Sequence, residues 1–312
     1  MKARLPRSVV RWLWRLSALG VALVFVVLAG AAPLAQRGGR GGGGRGGGRG
    51  GPFGGGSRRG GGGQIAGGPG APLWDRFVTV DDFDGAFQFC RLEFRNGSNG
   101  DGGGWGVDWP RADQNLSIRL SELTRTPVSM NASNEPNSVL LTAVMPEISH
   151  CPFVMMTEPG GAFFDDQEAA ALRAYLLKGG FLWADDFWGE YAWRYWETQI
   201  RKVFPAAEYP IFDVPLTHPI FHQMMNVAQI PQIPCICFWD GGNATSERGA
   251  DSAVPHVRAI NDAHGRIMVL MTHNTDFGDA YERETDNHAY FEKFSIPGYA
   301  FGINVLLYAM TH

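Results

Sequence analysis

Residues 151–186 read CPFVMMTEPGGAFFDDQEAAALRAYLLKGGFLWADD, and this stretch decides the fold. Pro152 to Thr157 is a short, uninterrupted apolar run, the pattern of a strand covered on both faces in a parallel sheet. Glu158-Pro159-Gly160-Gly161 makes a turn. Asp165 with Glu168 forms a capping box, and Ala169, Leu172, Tyr175 and Leu176 then fall on one face of a helix that Gly179-Gly180 stops. Phe181 to Asp185 is the next strand. Strand, helix, strand in this order is a βαβ unit, which joins parallel strands by a right-handed crossover.

Working outward, Phe87 to Phe94 alternates as an earlier strand, and Asn96 to Gly106, rich in Gly, Asn and Asp, is loop. Asp113 to Thr124 places Leu116, Leu120 and Leu123 on one helical face, with Asp113 as the expected N-cap. A further helix is expected from Glu190 to Val203, a buried strand from Arg266 to Thr272 and a closing apolar helix from Gly298 to Met310. No internal repeat is visible. The sum is an α/β domain with a doubly wound, mostly parallel sheet, expected over residues 73–312.

The chain carries 27 basic and 31 acidic residues, but they divide unevenly. Lys2, Arg4, Arg7, Arg11, Arg15, Arg37, Arg40, Arg45, Arg49, Arg58 and Arg59 all precede Gly70, where no acid occurs, so the remainder has 16 basic residues against 31 acids. An acidic domain is poorly suited to phosphate backbones, and nucleic acid is not expected as a partner. Five of those basic residues precede Leu16 to Gly30, a run without charge, which is the order of an export signal. Residues 1–35 are therefore expected to be a signal peptide or an uncleaved signal anchor. Ala29-Gly30-Ala31 offers a cleavage site, whereas Pro33 hinders cutting, and about 21 residues from Leu16 to Gln36 suffice to span a membrane. Either form places the domain outside the cytoplasm, periplasmic or secreted, with the uncleaved form tethered to the inner membrane. Residues 36–72 are Gly/Arg-rich and are expected to form a disordered linker, because 21 of the 42 glycines fall between Arg37 and Gly70 with few apolar side chains to offset their entropy.

Cys90, Cys151, Cys235 and Cys237 are too few and too scattered for a disulfide scaffold, and buried free thiols are the expectation. Cys90 with Cys151 is the pair that an oxidising compartment would bridge; Cys235 and Cys237 stand too close for a mutual bond in a strand. No second Cys or His pair lies near them at zinc spacing, and no residue is assigned as a metal ligand.

In open α/β sheets ligands bind beyond the carboxyl ends of the strands. That rule selects Glu158 after the first strand of the βαβ unit, Asp185 and Asp186 after the second, and His273, Asn274 and Asp276 after the late strand, with Glu190 opening the helix beyond Asp186. Gathered carboxylates raise one another's pKa or attract a cation, so acid-base work and a hard divalent metal are both chemically open, although no cofactor is expected. The catalytic candidates are Asp186 and His273. The ligand-binding candidates are Glu158, Asp185, Trp188, Glu190, His218, Asn274 and Asp276, with Trp188 placed to stack on a sugar ring. Each has a structural counterpart: acids at strand ends cap the next helix, and a loop histidine beside Pro219 is commonly a hydrogen-bonding brace. No Gly-x-Ser-x-Gly, P-loop or dinucleotide-binding fingerprint occurs in the domain.

Trp109-Pro110 with Asn115-Leu116, Thr157-Glu158-Pro159-Gly160, Tyr175 to Leu182 with Asp185-Asp186, His218-Pro219-Ile220 and His273-Asn274-Thr275-Asp276 together resemble the bacterial DUF4159 family, from about Phe77 to His312. That resemblance implies a flavodoxin-like fold related to class I glutamine amidotransferases and ThuA-like proteins. Amidotransferases of this class carry a nucleophilic cysteine on a sharp turn after a strand, and no cysteine here occupies one. The His-Pro-Ile segment and His273 are similar to ThuA-like proteins, which are associated with sugar metabolism. The resemblance thus implies a non-amidotransferase module for a sugar-like or other small polar ligand. A carboxylate- and histidine-dependent hydrolase or lyase, and an envelope scaffold, are the alternatives.

Overall fold

The computed structural model describes residues 76–312 apart from Asn243. The expected signal or anchor, the Gly/Arg linker and the first residues of the expected domain lie outside the described residues. Strands β1 (Phe89–Glu93) and β2 (Arg95–Asn96) precede helix α1 (Arg111–Thr124) and strand β3 (Ser138–Thr142). The βαβ unit follows as β4 (Val154–Thr157), the short β5 (Ala162–Phe163), α2 (Asp166–Leu177) and β6 (Leu182–Phe187). Next come α3 (Gly189–Val203), β7 (Phe212–Asp213), α4 (Ile236–Asp240), β8 (His256–Asn261) and β9 (Ile267–His273). Helices α5 (Phe277–Glu282), α6 (His288–Tyr290) and α7 (Ile296–Thr311) close the chain.

The main sheet has the order β3-β1-β4-β6-β9-β8-β7. From β3 to β9 every pairing is parallel, while β8 runs antiparallel to β9 and β7 antiparallel to β8. Numbered in chain order, the five parallel strands lie 2-1-3-4-5, the flavodoxin-like doubly wound arrangement. Every residue of β4, β6 and β9 is buried, as continuous apolar runs in a two-faced sheet require. One face packs Leu172, Leu176, Trp196 and Ile200 of α2 and α3 against Leu92, Val154 and Met156. The other packs Leu116 and Leu120 of α1, Phe277 of α5 and Phe301 and Leu306 of α7 against Phe89, Met155 and Trp183. Among the described residues His288–Thr311 is long and apolar enough to cross a membrane, with mean hydropathy 1.2, but most of it is buried within the domain.

The capping box of α2 is present, with Asp165 accepting from the Glu168 amide and Glu168 Oε2 accepting from the Asp165 amide. Two local expectations are corrected. Asp113 does not cap α1; the cap position is Pro110, and Asp113 sits inside the helix, where it pairs with the fully buried Arg91 of β1. The cysteines are not free thiols. Cys90 is bonded to Cys151, because β1 and the segment entering β4 are neighbours on one face of the sheet. Cys235 is bonded to Cys237, since the pair lies at the turn into α4, where the Cα atoms are 5.2 Å apart, and not in a strand, where two residues span roughly 6.6 Å.

Candidate functional site

Loops at the carboxyl ends of β1, β4, β6 and β9 converge on one edge of the sheet. The β4 strand ends in Glu158, whose φ of 50° turns the chain into Pro159-Gly160-Gly161. The glycine-rich loop after β2 folds over it: the Gly104 amide, at a φ of 97°, donates to Glu158 Oε2 (2.6 Å), and the Asp101 amide donates to Gly160 O (2.9 Å). Tyr191 Oη donates to Asn99 O (2.6 Å) and Arg248 pairs with Asp101 (3.1 Å), which pins the loop to α3 and to the segment before β8. The loop then delivers Asp108, itself at a φ of 61°.

Strand β6 carries an irregularity between Ala184 and Phe187 in its pairing with β9, and Asp186 within it has a φ of 60°. A bulge of this kind re-aims a side chain that strict alternation would send to the other face. Among the described residues six non-glycine residues have positive φ, and four of them, Asp108, Glu158, Asp186 and Asn274, stand at this edge. Such conformations cost free energy and concentrate where a site needs them.

The outcome is a group of carboxylates with one oxygen each from Asp108, Asp186 and Asp276 within 4.8 Å of one another. Asp108 also lies within that distance of Asp279 and Glu282. Asp108, Asp186, Asp276 and Asp279 are all more than nine-tenths buried. Burial, followed by the charges of neighbouring acids, pushes the carboxyls of Asp108, Asp186 and Asp276 well above the usual carboxylate range. Burial also pushes Glu158 up to about 7 against the Gly104 and Gly103 amides, and Glu247 up to about 6 against the Cys235 amide. The amides entering α4 hold two further acids, with Cys235 N donating to Glu247 Oε1 (2.7 Å) and Ile236 N to Asp279 Oδ2 (2.6 Å).

The structure thus brings Glu158, Asp186 and Asp276 to one place and gives the other candidates different work. Asp185 lies behind the group: its carboxylate accepts from Thr272 Oγ1 and from the amides of Phe277 (2.8 Å) and Gly278 (3.2 Å), so it braces the start of α5. Burial pushes it up to about 7, opposed by those donors. Asp276 caps the same helix through the Asp279 amide (2.7 Å). Trp188 is buried and its Nε1 donates to Asp186 Oδ1 (2.9 Å), so it orients that acid and offers no open face to a sugar ring. Asn274 links the Gly189 amide (2.8 Å) to Val254 O (2.8 Å). Glu190 points to the surface and pairs with Arg194 (2.6 Å). His218 caps the turn at Ile220 and lies 5.7 Å from the Tyr308 ring, whose hydroxyl meets the first residue of β9, at the opposite edge of the sheet.

His273 does not have the free ring nitrogen that a general base needs. Its Nε2 faces Gly189 O (3.0 Å) and its Nδ1 faces Arg258 Nη1 (3.3 Å). The ring packs among Phe187, Trp193 and His256, and burial pulls its pKa down to about 4, so it is neutral at pH 7.

Asp108, Asp279 and Glu247 escaped the sequence reading. The strand-end rule, applied to β1 as it was to β4, β6 and β9, leads through the glycine loop to Asp108. Asp279 carried a signal too, one helical turn beyond Asp276.

No curated protein matches the sequence significantly. A family model described as "Domain of unknown function (DUF4159)" matches residues 88–310, well over half of the chain, and the chain belongs to that family.

Proposed function

We propose that the domain works outside the cytoplasm as a binding module for a small, donor-rich polar ligand, sugar-like or amine-bearing, taken at the carboxyl edge over Glu158, Asp186 and Asp276. The carrying observation is the convergence of acids from four chain segments on one edge. The crowding of acids favours a ligand that brings hydroxyl or ammonium donors, because such a ligand returns the raised carboxyls to their ionised, accepting form, whereas a phosphate or carboxylate would add to the negative charge. The basic-then-apolar order of residues 1–30 supports export, and two disulfides suit an oxidising compartment. With every cysteine in a disulfide, thiolate-based glutamine hydrolysis has no nucleophile.

The positive φ of both Glu158 and Asp186 favours a second reading, a hydrolase or lyase that relies on these acids without His273. Calorimetric titration of the full chain, kept metal-free with EDTA, with neutral sugars, amino sugars, polyamines and acidic sugars tests the first reading. Neutral or amino compounds should bind, acidic ones should not, and Glu158→Gln should weaken binding at least about tenfold, the value of one charge-assisted hydrogen bond. Absence of binding across the panel, or equal binding of acidic sugars, overturns it. Turnover of a bound sugar that Asp186→Asn abolishes would establish the second.

A further inference from the structure

We infer that Asp108, Asp186 and Asp276 hold one divalent cation of the hard, oxygen-preferring class, Mg2+, Mn2+ or Ca2+. The inference rests on the proposed ligand site, because the ion lies at the floor of the same edge.

Three features carry it. First, the spacing fits: oxygens within 4.8 Å of one another match the edge of a coordination shell whose metal-oxygen bonds are about 2.0–2.6 Å. Second, Asp108 Oδ2 is buried without any hydrogen-bond partner, although its residue is only 8 % exposed. A lone buried carboxylate oxygen is costly unless something positive reaches it. Room for that oxygen is built into the chain, since a Cβ on Gly278 would come within 2.2 Å of it. Third, the nearby guanidinium groups are engaged elsewhere. Arg91 is paired with Asp113, Arg248 with Asp101, and Arg283 with Asp279 and Glu282.

The same bookkeeping sets the number of ions. Asp108 borders a second group, Asp279 with Glu282, but Arg283 already stands 3.4 Å from Asp279 and 2.8 Å from Glu282 and supplies that side with positive charge. The Asp186 and Asp276 side has no such partner among the described residues. One ion per chain follows. Trp188 on Asp186 and the Asp279 amide on Asp276 each leave the second oxygen of the carboxylate for the metal and fix its direction.

The test uses the full chain after EDTA treatment and Mn2+ alone, with no organic ligand, so that it succeeds or fails independently of sugar binding. Calorimetry and the electron paramagnetic resonance of Mn2+ should show one ion per chain, and the melting temperature should rise with Mn2+ concentration. Asp108→Asn and Asp276→Asn should each weaken Mn2+ binding by more than about 100-fold, as even outer partners of metal ligands are worth about 10- to 100-fold. Glu122→Gln, a surface acid paired with Arg119, should bind as the parent does. The metal-free melting curve of Asp108→Asn distinguishes a lost ligand from a lost fold. Lack of binding of Mn2+, Mg2+ and Ca2+ to the parent chain, or unchanged Mn2+ binding in both well-folded Asp→Asn variants, overturns the inference.

Discussion

Asp113 and Asp108 occur on the same short segment, and both are buried, yet their surroundings are opposite. Asp113 meets Arg91 through two nitrogens and also accepts from Ser138 Oγ (2.6 Å). Arg91 in turn reaches Thr157. Asp108 meets Asp186, Asp276, Asp279 and Glu282, with one oxygen that has no donor. A buried charge needs a counter-charge and hydrogen bonds. Where the chain supplies both, as at Asp113, the result is a brace between α1, β1, β3 and β4. Where the chain withholds them, as at Asp108, the missing positive charge has to come from a proton or a ligand.

The largest effect is expected of Asp113→Ala. It leaves Arg91 charged, buried and unpaired, and should cost about 3–5 kcal/mol in urea denaturation. A cost below about 1 kcal/mol would mean that the pair is not what holds this end of the sheet.

The next largest effect comes from a third solution to the same problem, a buried group that stays neutral. An unfolded histidine titrates near 6.5, but His273 is held down to about 4, facing Arg258 and His256 from β8, Asp213 of β7 next to both, and Glu190 from α3. Above about pH 6.5 both states are uncharged and nothing is lost. As pH falls from about 6.5 to about 4 the unfolded chain takes up the proton first, so stability declines by roughly 3 kcal/mol. Comparing denaturation at pH 7.5 and 4.5 in the parent and in His273→Asn isolates this share, because other groups titrate equally in both. Equal pH slopes would show that the ring is charged in the folded protein.

The smallest effect has the opposite sign. In EDTA, Asp108→Asn replaces a carboxyl whose charged form is disfavoured by burial and by neighbouring acids, and should leave the protein as stable or more stable, by on the order of 1 kcal/mol. A clear loss of stability in the thermal melt would place Asp108 with Asp113 as a structural acid.

Much of the fold was legible because its signals are local. The apolar runs of β4, β6 and β9, the capping box of α2 and the Gly179-Gly180 stop each announce themselves within a few residues. Strands β3 and β8 were missed. Ser138–Thr142 is a brief apolar run between turns, and His256–Asn261 is a half-exposed strand with three polar side chains, so neither has a strong period. The strand-end rule pointed to Glu158, Asp186 and Asp276, and the fold brings these three to one edge. His273, Asn274 and Glu190 stand near the same edge but their hydrogen bonds lead elsewhere, while Trp188 donates to Asp186. His218 lay beyond the reach of that rule, as its segment gives no clue to which edge it joins.

The α/β class, the parallel βαβ unit and the supply of acids to the carboxyl ends of the strands follow from periodicity and from chain order. Which acids meet depends on how distant segments pack. The bulge at Asp186 turns one of two adjacent aspartates toward the group and leaves Asp185 to hold α5. The loop carrying Asp108 closes onto residues far away in the chain, and Arg91 goes to Asp113 and not to Asp108. Side-chain direction at a strand end depends on register and on distant partners, and neither is written in any short stretch of residues.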